Sequence, residues 1–449
     1  MTDTSPSSTL QAVTRFVLDS RPGDIPEQTR AQAAFLLLDT LGICAASAPM
    51  TAGVIGRNAA VRLYGGSEAR MLFDGRRVSL AGAVFAAATQ TDNLDGHDGY
   101  NPTKGHAGVV IIPTLAALAE AMPDLAGDEA LAALVIGYEI AGRAAVALHN
   151  TVSDYHTSGA WNALGVAAMA ARLWRQSPEQ LRQGLGIAEY HGPRSQMMRE
   201  IATPTMLHDG SGWGALAGMS AAVLAGEGFT GAPAVTVEAP EAARYWADLG
   251  RFWQTDHQYI KPYPICRWAH APIDAARALL LQHGFAASDV ARITIRTFHN
   301  AVCLYSGLPD TTSQAQYSLP FAVAAMLVNG RIGLEHISGP GLSDPAVARL
   351  VALTDLVEDP IYEACYPEGR WADVTITLTD GTELRSGETH ARGGPERPFA
   401  PEDITAKYME FAGPVLGQAR AAALRDAILN LPKGGDFSAV AAHLYDPTV

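Results

Sequence analysis

From about Glu27 to Glu227, apolar positions recur at three- and four-residue spacing in stretches rich in Ala, Leu and Gly. This pattern predicts a succession of helices with almost no strand. Two of them, Val78 to Gln90 and Val109 to Ala119, are apolar nearly all round and so predict buried helices. Ser177-Pro178-Glu179-Gln180 has the form of a capping box with proline at the first helical position, which starts a helix running through Ala188. Small residues crowd Ala167 to Arg172 and Gly210 to Gly218, where they allow helices to cross closely. These glycines follow no strand, so a dinucleotide-binding reading fails.

After about Gln258 the pattern changes. Val290 to Phe298 alternates as a half-buried strand does, and Asp373 to Ser386 predicts a hairpin turning at Asp380-Gly381. Helices are predicted at Ala271 to His283, Tyr317 to Val328 and Asp344 to Thr354. From Ala400 the helical pattern returns, with Pro401 opening one helix and Gln418 to Leu431 forming another. The expected fold is mainly α: a large all-helical domain over 1–258 and 399–449, and a smaller α+β domain over 259–398.

Between the two buried helices lies the stretch with the densest chemistry. Thr91 to Gly108 holds Asp92, Asp95, Asp98, His97, His106 and Lys104 in one turn-rich loop. A calcium loop is excluded, because the aspartates are spaced by three and no glutamate stands where a bidentate ligand belongs. A transition-metal site suits histidines and carboxylates. General acid–base catalysis suits them better, since imidazole titrates near neutrality and a carboxylate can orient it. His106 falls just before the second helix, whose N-terminal amides favour a bound carboxylate.

Charge narrows the partners. The net charge of -14, with no Lys/Arg cluster, excludes a nucleic-acid footprint, and an anionic substrate must be held by a few local cations. The first ten residues show no basic segment followed by an apolar run, and no apolar stretch reaches about 18 residues. A soluble cytoplasmic protein without a membrane partner is expected. Cys44, Cys266, Cys303 and Cys365 show neither metal nor redox spacing and are read as reduced and structural. The only lysines are Lys104, Lys261, Lys407 and Lys433. Lys104 and Lys261 stand in unusual contexts and are candidates to hold a carboxylate; Lys407 and Lys433 read as surface residues. His156 and His208, each at a predicted helix start, are further candidates.

Several of these segments together resemble the MmgE/PrpD family. They are Leu38-Asp-Thr-Leu-Gly42, the loop ending in His106, Gly137-Tyr-Glu139 with Arg143, His156-Thr-Ser-Gly, Leu207-His-Asp-Gly210, Lys261-Pro-Tyr-Pro and Gln316-Tyr-Ser318. The resemblance covers essentially the whole chain. It implies a helical domain with an α+β lid, a homodimer, a site in the cleft between the domains, and neither metal nor organic cofactor. It implies catalytic roles for Asp95, His106, His156 and Lys261. Two positions depart from the decarboxylase-like pattern: Thr205 stands where a lysine is expected, and Phe321 where a tyrosine is expected. Lys104 would then replace the absent cation. Together with Lys104, the residues Arg267, His208, Thr205, His97 and His270 complete the expected substrate-binding set. The reactions of the family share loss of a proton or of CO₂ next to a carboxylate. The leading expectation is a hydro-lyase acting on a small hydroxylated di- or tricarboxylate. The alternatives are an isomerase or epimerase, a decarboxylase, and a catalytically silent carboxylate-binding protein.

Overall fold

The computed structural model describes residues 7–448, so the reading of the first ten residues rests partly on positions outside the described residues. The chain is mainly α with a small sheet. It divides into two compact units. The first comprises the chain up to Met197, Asp209–Gln258 and the chain from Ala400 on; the second comprises Met198–His208 and Tyr259–Phe399.

In the first unit, helices Leu80–Asp92 and Gly108–Glu120 flank the central loop. Ser79 starts the former by accepting the Gly82 N–H at 3.1 Å, which satisfies one of the amides left over at a helix start. The capping box at Ser177 and Gln180 is present and opens Pro178–His191. Close crossings depend on missing side chains, as the small-residue pattern predicts. A Cβ at Gly42 would lie 2.8 Å from the Tyr408 ring, so helix Glu27–Ser47 can press against helix Pro401–Leu416. A Cβ at Gly218 would lie 2.6 Å from Val166 Cβ, at the crossing of Ser211–Gly226 with Gly159–Leu173.

One sequence expectation is corrected here. Helix Gly127–Thr151 is long and apolar enough to span a membrane by length and composition alone, although no uninterrupted apolar run marks it. In its most apolar window 94% of the residues are buried inside the protein, the signature of a core helix.

In the second unit, Val290–Thr297 is an inner strand of a five-stranded sheet. It pairs antiparallel with Trp371–Leu378, which turns at Gly381 into Glu383–Arg385 and also pairs with Thr389–His390. On its other side it pairs in parallel with Thr354–Glu358. That strand escapes the sequence pattern because its residues are half-buried or exposed, so no apolar alternation marks it. Helices His270–His283, Leu319–Asn329 and Pro345–Ala352 complete the unit close to their expected bounds.

Candidate active site

The central loop is built around two imidazoles. His106 Nδ1 lies 2.6 Å from the Asp98 carbonyl oxygen. A carbonyl can only accept, so Nδ1 carries the proton, and in the neutral ring Nε2 holds the lone pair. Nε2 stands 3.7 Å from Asp209 Oδ2. The same Asp209 oxygen accepts from Ser158 Oγ at 2.8 Å, and Ser158 Oγ accepts the His106 backbone N–H at 3.0 Å. Serine thus ties the aspartate to the backbone of the histidine it faces. Asn162 donates to the His106 carbonyl at 2.8 Å, fixing the other end of the residue.

His97 packs edge-on against His106, ring centroids 4.7 Å apart. Its Nε2 lies 3.8 Å from Asp95 and 3.9 Å from Asp92. Burial, then the neighbouring Asp209, holds Asp92 well above the usual carboxylate range, while the Ser211 N–H at 3.2 Å works in the opposite direction. The centre therefore places two imidazoles among three carboxyl groups, all buried or nearly so.

The helix start beyond His106 does bind a carboxylate, but one from the chain itself. Asp98 Oδ1 accepts the Gly108 N–H at 3.1 Å, and Oδ2 takes the Tyr138 hydroxyl and, at 3.4 Å, Thr40. Asp98 thus takes one of the amides that this helix start offers to a carboxylate. Burial outweighs these donors and pushes Asp98 up to about 7. Gly108 must be glycine, since a Cβ there would overlap both Asp98 and Tyr138.

Lys407 is not the surface lysine that its sequence suggested. It is buried; its Nζ lies 2.6 Å from Asp39 Oδ1 and donates to the Gly96 carbonyl at 2.6 Å. The motif Leu38-Asp-Thr-Leu-Gly42 thereby acquires a role: Asp39 holds Lys407, Thr40 reaches Asp98, and Gly42 makes room for the lysine's helix. Lys433 is exposed.

Asp95, His97 and His106 offer three ligand atoms within 4.8 Å of one another, the group among the described residues that could hold an ion. The 3.8 Å separation of His97 from Asp95 is wider than the roughly 3.4 Å edge of a tetrahedral zinc shell with bonds of about 2.1 Å, so the side chains would have to close on the ion. A carbonyl behind His106 Nδ1 suits a metal ligand and a general base alike.

The remaining candidates are placed as follows. His156 is buried two residues before Ser158, its N–H 3.3 Å from His149 Nε2, and its Nδ1 has no partner among the described residues. Burial, then Lys104, pushes that neighbouring His149 down to about 4. Lys104 adopts the left-handed conformation and lays its ammonium 5.6 Å from the centre of the Tyr155 ring. In the second unit, Lys261 is fully buried. His270 Nε2 donates to the Ile265 carbonyl at 2.8 Å and so secures the Lys261 turn. His208, held at φ 43, places Nε2 3.2 Å from Ser313 Oγ. Thr205 spends its hydroxyl locally, accepting the Leu207 N–H at 3.3 Å. Arg267 is buried against the Tyr259 ring at 4.2 Å.

Asp209, Ser158, Asn162, Lys407 and Asp39 were missed as functional residues. Asp209 and Ser158 lie in the segments Leu207–Gly210 and His156–Gly159, where a histidine one or two residues away has the more evident chemistry.

The comparisons with known proteins agree with one another. The MmgE/PrpD N-terminal domain model matches residues 11–246 and the C-terminal domain model matches residues 263–433. Among curated proteins, cis-aconitate decarboxylase of Mus musculus is 25% identical over 391 residues, covering 82% of this chain and 79% of the relative. Cis-aconitate decarboxylase of Aspergillus terreus is 23% identical over 456 residues, covering 92% and 91%. With both domain models matched in order along the chain, the protein belongs to the MmgE/PrpD family.

Proposed function

We propose that this protein is a lyase that acts on a small di- or tricarboxylate by removing a proton next to a carboxylate. The observation that carries the reading is the His106 tautomer. With Nδ1–H committed to the Asp98 carbonyl, Nε2 is the ring atom able to take a proton, and Asp209 stands where it stabilises the imidazolium that results. Asp95 and His97 handle a second proton, and His156 is the further imidazole of the helical unit. Lys261 and Arg267 supply positive charge for the developing carbanion, because a fixed cation stabilises charge that grows in the transition state. Departure of hydroxide completes the leading reaction, a dehydration. The second reading, loss of CO₂, is favoured by the decarboxylases among the relatives. Thr205 and Phe321, which differ from the decarboxylase-like pattern, favour the first.

The test is proton NMR in D₂O with a panel of hydroxylated and unsaturated polycarboxylates. Net alkene formation from a hydroxy acid supports dehydration, and CO₂ release supports decarboxylation. Exchange of a carbon-bound proton without net conversion points to an epimerase. Neither exchange nor conversion with any member of the panel overturns the enzyme reading.

A further inference from the structure

The second unit gathers two buried guanidinium groups and a buried imidazole around one short piece of backbone. Arg370 immediately precedes strand Trp371–Leu378, and His390 ends the strand paired with it, Trp371 opposite His390. The Arg370 N–H lies 3.4 Å from His390 Nε2. Arg267, in the helical turn that leads into His270–His283, reaches the same place: Nη1 donates to the Arg392 carbonyl at 2.6 Å and Nη2 to the Ala391 carbonyl at 3.3 Å. Arg397 Nη1 donates to the His390 carbonyl at 2.6 Å. The exposures of Arg267, Arg370 and His390 are 3%, 2% and 4%.

Arg370 Nη1 donates to the Pro367 carbonyl and, at 3.3 Å, to the Gly369 carbonyl, and its guanidinium lies 4.6 Å from the centre of the Tyr366 ring, so backbone carbonyls and a ring face are the partners of these donors. Among the described residues neither Arg267 nor Arg370 is ion-paired with a carboxylate, and the Nε of each is buried without an acceptor. His390 Nε2 accepts from Arg370, so the ring proton sits on Nδ1, which is a third buried donor without a hydrogen-bond acceptor. Asp274 is committed to Arg392 and Tyr263. Glu396 places Oε2 3.9 Å from His390 Nδ1 on a side chain 51% exposed. A Cβ at Gly394 would lie 3.1 Å from Glu396 Oε2 and 3.5 Å from Arg267 Nη2, so the missing side chain lets both groups approach that position. A buried guanidinium without a close ion pair is costly, and burial outweighs the nearby Asp274 and Glu396 and pushes Arg267 down to about 10. An anion would relieve that cost.

We propose that Arg267, Arg370 and His390 form a carboxylate-binding site in the second unit, with Glu396 as the internal acid that the ligand displaces from His390. The inference rests on the polycarboxylate reading only for the class of anion. Planar carboxylate matches the fork of guanidinium donors, and the imidazole N–H adds a third contact.

The experiment is calorimetric titration of the full chain with tricarballylate, succinate, acetate and sulfate. Tricarballylate or succinate is expected to bind, with Kd raised at least 10-fold in Arg370→Gln and lowered several-fold in Glu396→Gln. Opposite shifts from two such variants do not follow from a merely structural role. An unchanged Kd in Glu396→Gln overturns the site even if Arg370→Gln fails to fold, and so does binding of sulfate alone or of none of the four. The function reading is judged separately, by proton exchange in the wild type and its loss in His106→Gln. Exchange with no effect of Arg370→Gln on KM removes this site and leaves that reading standing.

Discussion

His106 Nδ1 donates to the backbone carbonyl of Asp98 across 2.6 Å, which leaves a single ring nitrogen for proton transfer. His106→Gln should lower proton exchange by about 10²–10⁴-fold, the usual contribution of a positioned general base, at unchanged thermal stability. Asp209→Asn should lower kcat less, about 10-fold, with KM little changed, because it removes the counter-charge and not the base. Isotope exchange rates measured at saturating substrate decide both.

Asp98 carries a pH signature in stability. Its ordinary value of 3.8 is raised to about 7 by burial, so between those values the native protein holds a proton that the unfolded chain has released. The stabilisation is fully present below roughly pH 4 and is lost as pH rises through about 7. Melting temperature should therefore fall more steeply between pH 4 and 7 in the wild type than in Asp98→Asn. Equal slopes would refute this assignment.

The Asp39–Lys407 pair should behave as a buried ion pair does. Lys407→Met leaves a carboxylate without its partner and should cost about 3–5 kcal/mol, whereas Asp39→Asn with Lys407→Met should cost less than the sum of the two. Since Lys407 also holds the Gly96 carbonyl, between Asp95 and His97, kcat should fall in the folded fraction of Lys407→Met while KM changes little. Denaturant melts combined with steady-state kinetics separate the two effects.

Divalent zinc should inhibit by drawing Asp95, His97 and His106 together, and His97→Ala should relieve the inhibition. EDTA should leave the activity of the purified protein unchanged. Loss of activity on chelation, restored by one particular ion, would instead give that trio a catalytic metal.

The elements were legible where a period or a cap marks them: the two helices around the central loop, the capping box at Ser177, and the hairpin at Gly381. Thr354–Glu358 was not, because an edge strand with polar, half-exposed residues has no apolar face to show. Asp95, His97 and His106 could be chosen from local density alone. Asp209 and Ser158 could not, because what makes them functional is a fold that carries them 103 and 52 positions back to one imidazole, and a histidine beside each looked more reactive. Lys407 illustrates the same limit from the other side. A lysine in an amphipathic helix reads as solvated unless one knows that Gly42 lets this helix press, through Tyr408, against the helix that carries Asp39.

That lysine donates to a carbonyl 311 positions earlier in the chain. During synthesis the loop around Gly96 leaves the ribosome long before the ammonium that braces it, and the carboxylate of Asp39 waits longer still for its partner. A nascent chain arrested short of helix Pro401–Leu416 would thus carry every imidazole of the centre without the ammonium that braces the loop between Asp95 and His97.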